Sequence, residues 1–204
     1  RERIAELHEG VETLALAARD PALRCFPVAR AAPQRPAGAL GAIAAVRAAV
    51  TDNGATQVIT SSITNPAVPR NVTATSGGTA ADIKAIQVTV TGTNADGAVI
   101  SEDLPVFTVN TATTVVGSKA FATVTSISIP AHDGTGATTS VGTGAKLGLG
   151  SCLSRNTVLA AYLNGAKEGT APTVAVSSSA IESNTVQLNS ALDGNAVIVD
   201  FYDS

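Results

Sequence analysis

The chain has 204 residues, of which 45% are hydrophobic, 14% are charged and 3% are aromatic, so Val, Ile, Leu and Ala must fill its core. Residues 1–50 carry seven Arg against five Asp or Glu, and residues 51–204 carry six Lys or Arg against eleven Asp or Glu, for a net charge of −3. This balance excludes the dense basic face of a nucleic-acid-binding protein, and no run reaches the roughly 18 apolar residues of a transmembrane helix.

Residues 1–18 are predicted to form an amphipathic helix. Acidic residues crowd the first half of this segment, where the helix dipole favours them, and Asp20 followed by Pro21 ends it. Apolar side chains recur at steps of three and four residues, namely Ile4, Leu7, Val11 and Leu14.

Residues 21–36 are predicted to form an extended arm with little structure of its own, because four prolines lie among Ala and Arg. The small apolar residues 38–50 predict a short second helix. The arm charges have two interpretations: they are solvated, or they dock onto an acidic partner. Residues 1–50 together are predicted to form an N-terminal arm, part helical and part extended. The side chains of this arm that we predict to bind a partner are Ile4, Leu7, Val11, Leu14, Arg24, Phe26, Arg30 and Arg35.

Residues 51–204 change to short alternating runs of Thr, Val, Ala, Ser and Ile, broken by Gly, Pro and Asn. Turns are predicted at residues 94–97, 164–165 and 193–194, and a long Gly-rich turn at residues 133–144. About ten short strands at this spacing predict one mainly β domain, an antiparallel sandwich or barrel. The predicted strands are 57–63, 71–75, 85–93, 98–104, 106–110, 113–116, 120–129, 145–149, 157–163, 173–177, 185–188 and 196–202.

Two pairs of adjacent residues are candidate catalytic groups. His132 and Asp133 are neighbours, and adjacent residues of a strand point to opposite faces, so we expect Asp133 to cap a turn rather than orient the histidine. The same geometry separates Glu102 from Asp103, which argues against a glycosidase pair and favours an exposed strand edge.

Other segments lack the spacing that their chemistry needs. Residues 142–146 have neither the spacing nor the following helix of a phosphate loop, and residues 151–154 do not form a nucleophile elbow. Alternating EF-hand ligands are missing, although scattered loop carboxylates leave weak ion binding open. Cys25 and Cys152 are predicted to be unpaired thiols. The sequence therefore predicts neither catalytic residues, nor a cofactor, nor a metal site.

Several motifs together resemble a group of small β-rich proteins encoded among the structural genes of tailed bacteriophages and prophages. The resemblance covers most of residues 51–204 and does not clearly cover residues 1–38. It brings no catalytic residues. The segments that carry it are 63–66, 69–75, 82–83, 88–92, 107–111, 117–121, 129–137, 156–158 and 168–192, which include Pro69-Arg70-Asn71-Val72-Thr73-Ala74-Thr75 and Ile129-Pro130-Ala131-His132-Asp133-Gly134-Thr135-Gly136-Ala137.

The resemblance implies a capsid decoration, or cement, protein. Such a protein would be made in the host cytoplasm and would reside on the virion, where it binds the major capsid protein on the outer head surface and associates as a homotrimer. No enzyme activity, nucleic acid or membrane is expected. The alternative is another virion module, such as a tail tube, neck or fibre protein or a receptor-binding sandwich; the scarcity of aromatic residues argues against glycan binding.

Overall fold

The computed structural model describes residues 42–202 and the backbone of residues 29–30. These residues are mainly β, and every strand pairing among them is antiparallel, as predicted. The predicted N-terminal helix lies outside the described residues. So do the side chains of all eight predicted partner-binding residues.

The described residues form fourteen strands and two short 3₁₀ helices at Ala80–Asp82 and Ile181–Ser183. In chain order the strands are β1 (Ala29–Arg30), β2 (Arg47–Thr51), β3 (Gln57–Ile59), β4 (Arg70–Gly78), β5 (Thr89–Thr93), β6 (Val99–Asp103), β7 (Thr114–Phe121), β8 (Thr123–Ile129), β9 (Ala137–Gly148), β10 (Val158–Leu163), β11 (Ala166–Lys167), β12 (Thr173–Ala175), β13 (Thr185–Gln187) and β14 (Val197–Phe201).

Three sheets result from these pairings. Sheet 1 has the order β1-β14-β10-β11, and sheet 3 has the order β3-β8-β5-β6. Sheet 2 has the order β12-β13-β9-β4-β7, with β2 also paired to β9. The longest strand, β9, pairs with β4 along one edge, from Ala137 opposite Gly78 to Leu147 opposite Arg70. Because a strand has two edges, β2 and β13 share the other one.

The predicted long turn at residues 133–144 is wrong from Ala137 onward, because that part belongs to β9. Its glycines allow other groups to approach the strand closely rather than reversing the chain. A Cβ on Gly142 would collide with the carbonyl oxygen of Ala42, and one on Gly144 would collide with the side chain of Asn71. Composition suggested a turn where tertiary packing requires small residues.

The predicted second helix is also wrong, because residues 47–51 form β2 and pair with β9. The pairing with β9 outweighs the helix propensity of the Ala-rich run. The predicted strand at residues 106–110 is not formed either. There the backbone N–H groups of Phe107 and Asn110 donate to the carbonyl oxygens of Ile86 and Ile83, over 3.1 and 2.9 Å.

Two predicted hairpin turns are confirmed. Thr93 pairs with Val99 across the first turn, in which Gly97 has a φ of 81°. Leu163 pairs with Ala166 across the second, whose central residues Asn164 and Gly165 have φ values of 51° and 77°. Tight hairpin turns require positive φ values that Asn and Gly adopt readily, which is why Asn-Gly and Asp-Gly pairs indicate such turns.

Buried apolar side chains form two clusters, filled mainly by Val, Ile and Leu, as the composition predicts. The first lies between sheets 2 and 3 and includes Phe121 and Ile127, both fully buried. The second lies between sheet 1 and the end of β9 and includes Leu153 and Phe201. Since β9 contributes Val141 to the first cluster and Leu147 to the second, this one strand joins both cores.

Candidate functional site

His132, the histidine of the predicted β domain, is buried with 6% of its surface exposed. Its Nδ1 accepts the backbone N–H of Lys84 over 3.2 Å, and its Nε2 lies 2.9 Å from Oγ1 of Thr139. A neutral ring that carries its proton on Nε2 satisfies both contacts. Both ring nitrogens are therefore engaged, which leaves no basic atom facing a substrate.

The surroundings of His132 keep the ring neutral. Burial lowers its pKa below the ordinary value of 6.5, against the opposing charges of Asp52 and Asp133. The ring of Phe107 stacks on it, with centroids 6.1 Å apart, and the backbone N–H of His132 donates to Oδ1 of Asp52 over 3.1 Å. Through these contacts His132 has a structural role: it links segments that lie far apart in the sequence.

The carboxylate of Asp133 is not hydrogen-bonded to the histidine ring, as predicted, although the two residues lie in the loop after β8 rather than on a strand. Asp133 does not cap the turn, contrary to the prediction. Its carboxylate lies 3.3 Å from Nζ of Lys84 in an ion pair whose side chains are both 52% exposed. The carboxylate that binds the turn is that of Asp82, whose Oδ2 accepts the backbone N–H of Gly136 over 3.0 Å. A Cβ on Gly134 or Gly136 would collide with this carboxylate, so the glycines make room for Asp82.

Glu102 and Asp103 lie on β6, an edge strand of sheet 3, and act on opposite sides of it. Asp103 is exposed, as predicted, and accepts the hydroxyl of Thr89 over 2.6 Å. Glu102 is half-buried instead, and its Oε1 accepts the N–H and the hydroxyl of Ser118 over 2.6 and 2.8 Å. Glu102 thus joins β6 to β7 of sheet 2, and the two carboxylates cannot act on one bond.

The other candidate segments take structural positions. Residues 142–146 lie within β9, so they cannot form a phosphate loop. Cys152 is a free, exposed thiol, as predicted, whereas Cys25 lies outside the described residues. Next to Cys152, Leu153 is buried in the second cluster, and its backbone N–H donates to Oδ1 of Asn184 over 3.1 Å.

Asn184 binds the backbone of two separate loops beside the second cluster. It is fully buried, and its Oδ1 also accepts the N–H of Ser177 over 2.8 Å. Its Nδ2 donates to the carbonyl oxygens of Ser177 and Ala180, both over 2.9 Å. No sequence pattern indicates this role, since Asn is common in exposed turns and its partners here lie in separate loops.

A groove of about 220 Å³ lies beside β10, and no sequence motif pointed to it. One wall is the edge of β10 at Val158–Ala161, and the other is the segment Lys167–Pro172 that follows the β10–β11 hairpin. Leu159 lies at a bulge in the pairing of β10 with β14, and its side chain is 60% exposed. The lining combines apolar residues such as Val158 and Leu159 with the charged side chains of Lys167 and Glu168.

The part of the chain that the structure describes holds no group of three His, Cys, Asp or Glu side chains that is arranged to hold a metal ion. Within residues 42–202, none of the helices has the length and apolarity needed to cross a membrane. Comparisons with protein-family models, with curated proteins and with solved structures found no match.

Proposed function

We propose that this protein is a phage capsid decoration protein that binds the major capsid protein on the outer head surface and stabilises contacts between capsomers. In this proposal residues 42–202 form a rigid β-sandwich knob, in which sheets 2 and 3 pack over one core. Residues preceding β2 form an arm that binds a neighbouring subunit. The motif resemblance of residues 51–204 to phage structural proteins is the starting point of this proposal.

The position of β1 carries the proposal for the arm. Ala29 pairs with Phe201 and Arg30 pairs with Asp200, so the arm backbone joins the outer edge of sheet 1. The chain before Ala29 therefore starts from a defined edge of the β domain.

The outer face of sheet 3 supports a role in presenting surface rather than in catalysis. Its hydroxyl groups bond to one another across strands, as in the 2.7 Å contact between Thr93 Oγ1 and Thr123 Oγ1. Thr91 and Ser101 make a similar contact over 3.3 Å. Hydroxyls that are already paired leave few unsatisfied polar groups to desolvate when this face, which also carries the carboxylate of Asp103, packs against a lattice. On a lattice, many modest contacts of this kind add through avidity.

Co-sedimentation with undecorated heads of the phage or prophage that encodes the protein tests the proposal. We expect the whole chain to sediment with the heads, and a variant lacking residues 1–37 to fold but remain in solution. That variant also loses β1, so a matched variant lacking residues 1–28 keeps the pairing of β1 with β14. If the whole chain does not sediment with the heads, the proposal is wrong. If both truncated chains sediment with the heads as the whole chain does, the arm is not the contact.

The mass of the purified assembly separates the decoration role from the alternative virion roles. A homotrimer is expected for a decoration protein, whereas a ring of six subunits would favour a tail-tube module. Native mass spectrometry of the whole chain measures this directly, because the two assemblies differ twofold in mass.

A further inference from the structure

We propose that Asn164, at the tip of the β10–β11 hairpin, is a site of spontaneous deamidation in the folded protein, while the fold protects Asn53. These are the two Asn-Gly pairs of the sequence, and Ala follows the glycine in both. Both asparagines are exposed, so burial does not distinguish them. The two sites differ in whether the backbone and side-chain groups that would react already make hydrogen bonds. This inference is independent of the proposed function.

The reaction needs only water. The backbone nitrogen of the glycine attacks Cγ of the asparagine and loses its proton, the bond from Cγ to Nδ2 breaks, and ammonia leaves a five-membered succinimide. Water then opens the ring at either carbonyl and gives aspartate or isoaspartate. Glycine favours the attack because it has no Cβ to obstruct the approach and has wide backbone freedom.

The two groups that react at the hairpin tip are the side-chain amide of Asn164 and the backbone nitrogen of Gly165. In the described part of the chain, the Asn164 side chain makes no hydrogen bond, and a Cβ on Gly165 would meet nothing within 4 Å. β11 has only two residues, which pair with Tyr162 and Leu163. Local opening, which lets the backbone reach the geometry of ring closure, breaks this short pairing and the bond from the backbone N–H of Asn164 to the carbonyl oxygen of Ala196, over 2.9 Å.

The turn at Asn53 holds the equivalent groups. The nitrogen that would attack, the backbone N–H of Gly54, donates to Oδ2 of Asp52 over 2.9 Å. The side chain that would be attacked is also bound, because Oδ1 of Asn53 accepts the backbone N–H of Ala55 over 3.0 Å. Asp52 is itself 6% exposed and binds the backbone N–H of His132, so this turn cannot rearrange without disturbing a buried contact.

Deamidation at Asn164 would change the surface next to the groove. Either product adds a negative charge at the hairpin tip, close to the groove wall that begins at Lys167. Isoaspartate also adds a carbon to the backbone, which is incompatible with the two-residue turn that pairs Leu163 with Ala166. The modification would therefore loosen β11 and reshape that wall.

Peptide mapping of the whole folded chain after incubation in warm, mildly alkaline buffer tests the proposal. Trypsin separates the two sites, because cleavage at Arg47, Arg70, Arg155 and Lys167 puts Asn53 on peptide 48–70 and Asn164 on peptide 156–167. The gain in mass when NH₂ is replaced by OH reports conversion, and fragmentation assigns the position. Because two hydrogen bonds must break at Asn53, its conversion should be about tenfold slower or more.

The same incubation in concentrated urea is the control, because unfolding removes both turns and leaves the matched Asn-Gly-Ala sequences. We expect the two rates to agree within about twofold there, since the local sequence then governs both. Equal rates in the folded chain would overturn the proposal. A tenfold difference that persists in urea would also overturn it, because the preceding residue rather than the fold would then set the rates.

Discussion

The backbone N–H of Lys84 donates a hydrogen bond to Nδ1 of His132 over 3.2 Å, and so makes a ring nitrogen of the histidine an acceptor. An accepting Nδ1 requires the unprotonated ring, and Thr139 Oγ1 occupies the other nitrogen, Nε2. The contact joins the segment after the first 3₁₀ helix to the loop between β8 and β9. Its strength therefore depends on the protonation state of one side chain.

Stability should fall as the solution becomes acidic, because the folded-state pKa of His132 lies below its ordinary value of 6.5. Above that pH both states are neutral and the contribution is complete; below it the unfolded chain binds the proton first, and stability is lost until the folded-state pKa is reached. The slope is at most about 1.4 kcal/mol per pH unit, the value for one proton. Urea unfolding at a series of pH values measures it.

The variant His132→Gln is the control for this pH dependence. Its side chain keeps a neutral acceptor and a donor but does not titrate. The charged neighbours Asp52, Asp82, Asp133 and Lys84 remain in place, so the difference between the slopes of the two proteins is the contribution of His132. An unchanged slope in this variant would show that His132 is not the group responsible.

Glu102→Ala should destabilise the protein by about 2 kcal/mol, because the backbone N–H and hydroxyl of Ser118 lose a charged acceptor. The adjacent variant Asp103→Ala removes only an exposed contact with Thr89, and should cost less than about 1 kcal/mol. Chemical denaturation of both variants makes the comparison. Equal losses would mean that Glu102 does not join β6 to β7 as its contacts indicate.

Asn184→Ala should cost about 3 kcal/mol, since it removes four hydrogen bonds of a fully buried side chain and leaves the N–H of Ser177 without its acceptor, whereas the N–H of Leu153 keeps the carbonyl oxygen of Ser177. Asn156→Ala is the matched control, because Asn156 is exposed and binds only the N–H of Val158, two residues away. We expect that variant to lose about 1 kcal/mol or less. Thermal unfolding of the two proteins checks the difference, and a mild effect at Asn184 would contradict its assigned role.

Gly92→Ala should destabilise the protein by about 3 kcal/mol or more, because the added Cβ would collide with the backbone carbonyl of Thr123 on the paired strand β8. At Gly150 a Cβ would meet nothing within 4 Å, so Gly150→Ala should change stability by less than about 0.5 kcal/mol. Denaturation midpoints of both variants test this. A tolerated substitution at Gly92 would mean that β5 and β8 separate more easily than their pairing suggests.

Local chemistry made several strands and turns predictable. In β6 the residue Ile100 is buried between exposed neighbours, and this alternation is visible in the sequence. The turns at Gly97 and Gly165 were predictable because Asp-Gly and Asn-Gly tolerate positive φ. Prediction failed where a distant partner decided the outcome, as in β2, whose Ala-rich sequence favours a helix until β9 pairs with it.

The contacts of the candidate site residues were likewise only partly predictable from the sequence. Strand geometry separates Glu102 from Asp103 on β6, because adjacent side chains of a strand point to opposite faces. The same argument does not apply to His132 and Asp133, which lie in the loop between β8 and β9. The partners that these residues do have come from other segments: Lys84 for Asp133, Ser118 for Glu102, and Thr139 for the Nε2 atom of His132. No local pattern reports such contacts, since their residues are ordinary surface types in the sequence.

The sequence by itself determined that the described chain is mainly β, with a core of Val, Ile and Leu and with turns at its Asn-Gly and Asp-Gly pairs. These properties follow from alternation, side-chain volume and backbone freedom, which act over a few residues. Only the tertiary structure decided that the Gly-rich β9 contributes to two cores. The glycines of β9 leave space for the carbonyl oxygen of Ala42 and the side chain of Asn71, which come from distant parts of the chain. The tertiary structure also decided that His132 links separate segments through hydrogen bonds to Lys84, Thr139 and Asp52.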